Sequence, residues 1–179
     1  MDVPRTRTAE MAEIWDLTDA DGVPLGRTHR RGQPLPAGTF HLVPTVCVLR
    51  EDGMVLLTLR ASHKPEGDLW EFPGGSALAG ESARDGARRE LREETGLDLP
   101  DTAFTHIGRI QEREALLDLF LGRVGPDATV VPDPTEVADH AWIALEDVRR
   151  VIADGRMAPS WIPRLDRLGA ALLAEIRVG

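Results

Sequence analysis

The segment GSALAGESARDGARRELREETGL, Gly75–Leu97, decides how this chain is read. From Glu81 to Thr95 it is rich in Ala, Arg, Leu and Glu, holds Gly86 but no proline, and stops at Gly96. That composition predicts a helix with a glycine stop. At about 100° per residue, Ala83, Gly86, Ala87, Glu90, Glu93 and Glu94 share one arc of roughly 120°, and Arg84, Asp85, Arg88 and Arg92 take the other side. An ordinary amphipathic helix places Leu, Ile or Val on such an arc. Here small residues fill its first half, which lets the backbone approach a neighbour closely, and carboxylates fill the second. Two readings follow. One is a solvated acidic face with Arg88, Arg89 and Arg92 as counterions, tolerating like-charge pairs that each oppose the helix by a few tenths of a kcal/mol. The other is a hard divalent cation drawing the carboxylates to one point, for which oxygen ligands suit Mg²⁺.

Outward from this helix, EIWDLTDADGVPLGRTH reads as two strands around the turn Asp19–Gly22. HLVPTVCVLR and MVLLTLR, separated by Glu51-Asp52-Gly53, read as a buried hairpin. ASHKPEGDLWEFPGGSALAG is a long loop, and loops of that length in small domains are usually functional. Strands THIGRIQER and ALLDLFLGRV follow the helix, and the loop GPDATVVPDPTEV leads to the strand HAWIAL and a helix from about Glu146. A last amphipathic helix runs from about Ile162 to Ile176, with Leu165, Leu168, Leu172 and Ile176 at helical spacing. This order predicts an α/β sandwich with a mixed β-sheet. The boundaries expected are a loose tail over 1–10, a hairpin extension over 11–38, a core over 39–155 and a C-terminal helix over 156–179, all in a single domain.

With 179 residues, 42% hydrophobic and 28% charged, the chain suits one compact globular domain. No apolar run approaches the roughly 18 residues that cross a bilayer, and the N-terminus lacks the apolar core of a secretory signal. Cys47 is the lone cysteine, which fits a reducing compartment. The expected location is therefore the cytoplasm, with no membrane partner. A net charge of −9 argues against a nucleic-acid polymer as partner. An acidic protein that handles phosphates needs metal cations or a local basic cluster.

The pattern Gly75, five residues, Glu81, seven residues, then Arg89-Glu90-Leu91-Arg92-Glu93-Glu94-Thr95-Gly96-Leu97 resembles the Nudix box, G-x5-E-x7-R-E-U-x-E-E-x-G-U, at every defined position. The approach Trp70-Glu71-Phe72-Pro73-Gly74-Gly75 is similar to that of many members. The resemblance implies a Nudix-type α/β/α sandwich and metal-dependent hydrolysis of a diphosphate linkage. Mg²⁺ is the implied cofactor, with Mn²⁺ as a substitute, and a small organic diphosphate the substrate. It implies Glu90, Glu93 and Glu94 as metal ligands, with Gly75 lending its backbone carbonyl. One of those glutamates, or a later loop acid, is the implied general base; Glu136 is the first candidate, with Glu112 and Glu114 behind it. Glu81 either interacts with the helix dipole or takes a direct catalytic role, and Arg89 is expected to orient a glutamate, a surface ion pair being the alternative. Arg60, His63 and Lys64, clustered before the catalytic loop, either hold substrate phosphates or are solvated charges at a strand end. His29, His41, His106 and His140 show no ligand spacing and are assigned nothing. Trp70 and Trp142 are expected to pack in the core.

The segment EIWDLTDADGVPLGRTHRRGQPLPAGTFHL resembles the N-terminal hairpin of the subgroup that includes isopentenyl-diphosphate isomerase. That makes prenyl diphosphate isomerisation a rival activity. The isomerases carry a catalytic cysteine in the strand leading to the box, where this chain has WEFPGG, while Cys47 sits upstream in a hydrophobic strand and reads as a core residue. A ligand-sensing domain without turnover would be expected to lose part of the Arg-Glu-x-x-Glu-Glu core, which is intact here. The exposed edge of the added hairpin is a candidate homodimer surface.

Overall fold

The computed structural model describes residues 13–178, so the tail expected over 1–10 lies outside the described residues. Strands β1 (Ile14–Thr18) and β2 (Pro24–Arg30) form a separate antiparallel hairpin. Its turn is tied by Asp19, whose carboxylate accepts from the backbone N–H groups of Asp21 and Val23. The main sheet contains β3 (His41–Arg50), β4 (Met54–Arg60), β5 (Trp70–Glu71), β6 (Phe104–Gln111), β7 (Ala115–Val124) and β8 (Val137–Ala144). It is mixed: β3 runs parallel to β7 over its full length, while β4–β8 and β6–β7 are antiparallel. Its strands are rich in Val and Leu because helices cover both faces.

On one face lies α1 (Ala83–Thr95), with Ala87 and Leu91 packed on Val46, Val48, Leu56 and Phe120. On the other lie α2 (Val148–Ala153) and α3 (Trp161–Val178), where Trp161, Leu168 and Leu172 meet Cys47, Leu57, Leu117 and Leu119. The result is the expected α/β/α sandwich with an added N-terminal hairpin. Trp161 is the fully buried tryptophan, edge-on to Phe72 at 4.8 Å. Trp70 and Trp142 are half-buried at the margins of the core, Trp142 beneath the Arg50 guanidinium.

Two expectations about local structure are corrected. The α1 helix starts at Ala83 rather than Glu81, because Ser82 is its N-cap and forms a capping box with Asp85. Such a cap contributes about 1 kcal/mol. The β3–β4 hairpin is paired only at its turn, Leu49 with Val55, and then splays. The gap is filled by the segment expected to be pure loop. Residues Trp70 and Glu71 pair with β4, and Gly74 bridges to Thr45 on β3. That wedge delivers the Pro73-Gly74-Gly75 stretch between two core strands, at the mouth of the site.

Candidate active site

A cleft of about 890 Å³ opens where the splayed strands, the start of the box and α3 meet. Its walls carry eight carboxylates (Glu13, Glu66, Glu71, Glu90, Glu93, Glu94, Asp133, Glu136) against five Lys and Arg side chains (Arg31, Arg60, Lys64, Arg89, Arg164). The excess of negative charge calls for added cations.

At the centre is Glu94, only 4% exposed. Its carboxylate accepts one hydrogen bond, from the Gly74 N–H at 3.0 Å. Burial, then the charges of Glu71 and Glu90, push its acid well above the ordinary carboxylate range. Glu90 is also raised, because its burial outweighs its pairing with Arg89. Gly75 abuts it: a Cβ there would stand 2.6 Å from the Glu90 carboxyl, so any larger residue would displace that carboxyl from its position. Gly86 permits similar closeness, since its Cβ would lie 2.9 Å from Pro44. This is the tight approach expected from the small residues of the arc.

Arg89 organises the acidic side. It donates to both oxygens of Glu81 (2.8 and 3.0 Å), to Glu90 and Glu93 (each 2.9 Å) and to the Ser76 carbonyl (2.9 Å). Glu81 therefore serves Arg89, and accepts from the Leu78 N–H at 2.8 Å, rather than standing in the helix to meet its dipole. Burial alone would raise the Glu81 acid, but the bonds from Arg89 and Leu78 outweigh it and hold it below the usual range.

The expected convergence of three carboxylates is altered by this arrangement. Glu93 is half-exposed and tied to Arg89, and among the described residues no three His, Cys, Asp or Glu side chains close around one point. The donor chemistry nonetheless fits a hard divalent ion. The groups are carboxylate oxygens, and the buried Glu94 stands beside two further acids with one hydrogen bond to offset its charge.

The basic cluster is not a set of free solvated charges. Arg60 donates to Glu71 at 2.5 Å and to the Pro65 carbonyl at 2.8 Å, and Lys64 pairs with Glu136 across the cleft. His63 lines the same wall. Among the later acids, Glu136 borders the cleft. Glu112 and Glu114 do not; Glu112 grips Arg164 in a bidentate pair at 2.7 and 2.8 Å. His106 bonds Asp118 and His41 stacks on Trp15. Neither belongs to the cleft wall.

Of the cleft residues to which the sequence gave no role, three bear most on the site. Glu71 was part of the motif approach but read as context; Arg164 lies on a helix read only for its apolar spacing; Thr45 lies inside an apolar strand.

The NUDIX domain family model matches residues 39–164, so the chain belongs to the Nudix family and its fold and site define a Nudix hydrolase. The match runs into α3, past the boundary expected at 155. An uncharacterized Nudix hydrolase of Listeria innocua is 32% identical, covering 82% of this chain and 89% of its own length. An isopentenyl-diphosphate Delta-isomerase of Mycolicibacterium vanbaalenii is also 32% identical, covering 93% and 97%. The crystal structure of DR0079 from Deinococcus radiodurans superposes with a TM-score of 0.73 at 19% identity, over 87% of this chain and 99% of that one. This likeness confirms the fold. Among the described residues no helix is long and apolar enough to cross a membrane.

Proposed function

We propose that this Nudix hydrolase cleaves the diphosphate linkage of a nucleoside diphosphate derivative or related organic diphosphate, by attack of water at phosphorus, with Mg²⁺ as its metal and Mn²⁺ as a substitute. The observation that carries the reading is the buried Glu94 flanked by Glu71 and Glu90 in a cleft with surplus negative charge. Glu90, Glu93 and Glu94, with the Gly75 carbonyl, are the residues that would hold the metal. When bound, Mg²⁺ neutralises charge on a diphosphate and acidifies water. Arg89 fixes the rotamers of Glu90 and Glu93, as a metal site requires of its supporting groups. Arg60, His63 and Lys64 line the cleft beside Glu71 and Glu136 and would bind the phosphate oxygens of the substrate. Glu136, half-exposed at the cleft and paired with Lys64, is the candidate base. A panel of nucleoside triphosphates, nucleotide sugars, dinucleotides and prenyl diphosphates, run with Mg²⁺ or Mn²⁺ and scored by product mass, tests the reading. Phosphate-bond cleavage abolished by EDTA supports it; turnover that persists in excess EDTA refutes it.

The Mycolicibacterium relative, matched over nearly the whole chain, keeps isomerisation as a second reading. Against it stands Cys47, which is fully buried, with burial pushing its thiol up to about 12. It lies in the core under α3 and does not line the cleft, so a substrate there does not meet it. Interconversion of isopentenyl and dimethylallyl diphosphates by the purified protein would overturn the hydrolase reading.

A further inference from the structure

Among the described residues five threonines are buried. Four donate their hydroxyl to a backbone carbonyl: Thr18 to Phe40, Thr39 to Pro36, Thr58 to Glu71 and Thr95 to Leu91. Thr45 is the exception. It is 3% exposed, its Oγ1 has no hydrogen-bond partner, and it lines the acidic cleft. Two other buried polar side-chain atoms lack partners among the described residues, His41 Nδ1 and Trp161 Nε1, and neither residue lines the cleft.

The backbone around Thr45 is fixed. It pairs with Leu119 on β7, and its bridge partner on the other side is Gly74, the residue whose N–H holds Glu94. Its methyl faces that glycine: a Cβ on Gly74 would lie 2.7 Å from Thr45 Cγ2. With the methyl seated there and χ1 stiff in a β-branched residue, the hydroxyl has no freedom to search for a carbonyl. Along β3 the same face carries Cys47 and Leu49 inside the core and Val43 in the cleft, so Thr45 sits where core becomes site. Valine has the same shape and suits such a strand without burying an unpaired hydroxyl, which costs stability. An unpaired hydroxyl at the wall of a cleft is a donor that a group entering the cleft can satisfy.

We infer that Thr45 is a further substrate-positioning residue whose hydroxyl donates a hydrogen bond to an oxygen of the bound diphosphate, beside the carboxylate of Glu94. This rests on the diphosphate reading above. A phosphate oxygen is the partner the chemistry favours, since it accepts strongly and the neighbouring carboxylates leave the hydroxyl unbonded.

The test uses the full chain with Thr45→Val and Thr45→Ser, and methylenediphosphonate with Mg²⁺ as a non-hydrolysable probe. Thr45→Val should melt at or above the parent temperature in EDTA, yet bind the probe at least about tenfold more weakly. Thr45→Ser, which keeps the hydroxyl, should bind within about twofold of the parent. Mn²⁺ affinity without the probe should be the same in all three. Parent-like probe binding by Thr45→Val overturns the inference. So does a melting loss of several degrees, which would reveal an internal or water partner, and so does weakened binding of Mn²⁺ alone. A parent that binds no probe with Mg²⁺ would sink the diphosphate reading itself, and this inference with it.

Discussion

Replacing Arg89 by Ala removes five hydrogen bonds, four of them to carboxylates. The magnitude depends on what is left behind. Glu81 and Glu90 have side chains only 21% and 14% exposed, so both lose their counter-charge in a poorly hydrated place; Glu93, 51% exposed, is compensated by water. Removing one partner of a buried pair costs about 3–5 kcal/mol, and the residual exposure here lowers that to roughly 2–4 kcal/mol. At this chain length the melting temperature should fall by about 4–16 °C. Arg88 pairs with Asp98 and Asp101 at the surface, and Arg92 is exposed, so their alanine variants should each stay within about 1 kcal/mol of the parent. The pH dependence has a definite sign. In the parent, Glu81 is held below its unfolded acidity, so its contribution is present at neutral pH and lost as pH falls through that lowered value. The gap between parent and Arg89→Ala should therefore be widest near neutral pH and narrow in acid, where the stranded carboxylates take up protons. Turnover or Mn²⁺ affinity should drop by about tenfold or more in Arg89→Ala alone. Thermal melts from acid to neutral pH, with metal titrations of the three variants, decide the matter. Equal losses across the three arginines, or a gap that does not change with pH, would refute the reasoning.

The buried acid offers a second prediction. Because Glu94 is raised in the folded state, its contribution is present at low pH and lost as pH rises through that raised value. In EDTA, Glu94→Gln should thus be as stable as the parent or more so at pH 8, while turnover with Mg²⁺ falls at least about a hundredfold; a destabilised variant with full activity would contradict both halves. Cys47→Ala should retain catalysis within a few-fold and melt slightly lower through the lost core volume, as steady-state assays and melts would show. Glu136→Gln should slow turnover with little change in metal-free stability, since its pair with Lys64 is 44% exposed on the acid's side. Unchanged kinetics would remove Glu136 from the reaction.

The box was legible because its information is local: helix period, small residues and a glycine stop lie within one stretch, and Gly86, Ala87 and Glu94 are buried as the wheel required. The buried β3–β4 hairpin forms as read, but the extent of its pairing was not legible, because Glu51-Asp52-Gly53 specifies a turn and says nothing of the strands beyond it. Their separation is set by Trp70–Gly75, which arrives from elsewhere in the chain. Glu93 shares the arc and the box with Glu90 and Glu94, and its end-of-arc position puts it at the solvent edge, within reach of Arg89 four residues earlier, a pairing that spacing on the wheel did not specify. Arg60 and Lys64 looked like free charges because their partners, Glu71 and Glu136, are set by tertiary structure. Thr45 carried no polar signal in an apolar run.

The parallel pairing of β3 with β7 joins residues 74 positions apart, from His41 with Ala115 to Arg50 with Val124. Since β3 meets β4 at a single pair, it has no extended local partner. As the chain emerges from a ribosome, the stretch HLVPTVCVLR must wait for β7 before its backbone groups are satisfied, at about 5–20 residues per second. Closing that long loop carries an entropic cost that a local hairpin does not, and it raises the non-local content of the fold. A fragment ending before Ala115 lacks β7 and would present an apolar strand with open edges, a template for aggregation rather than a smaller enzyme.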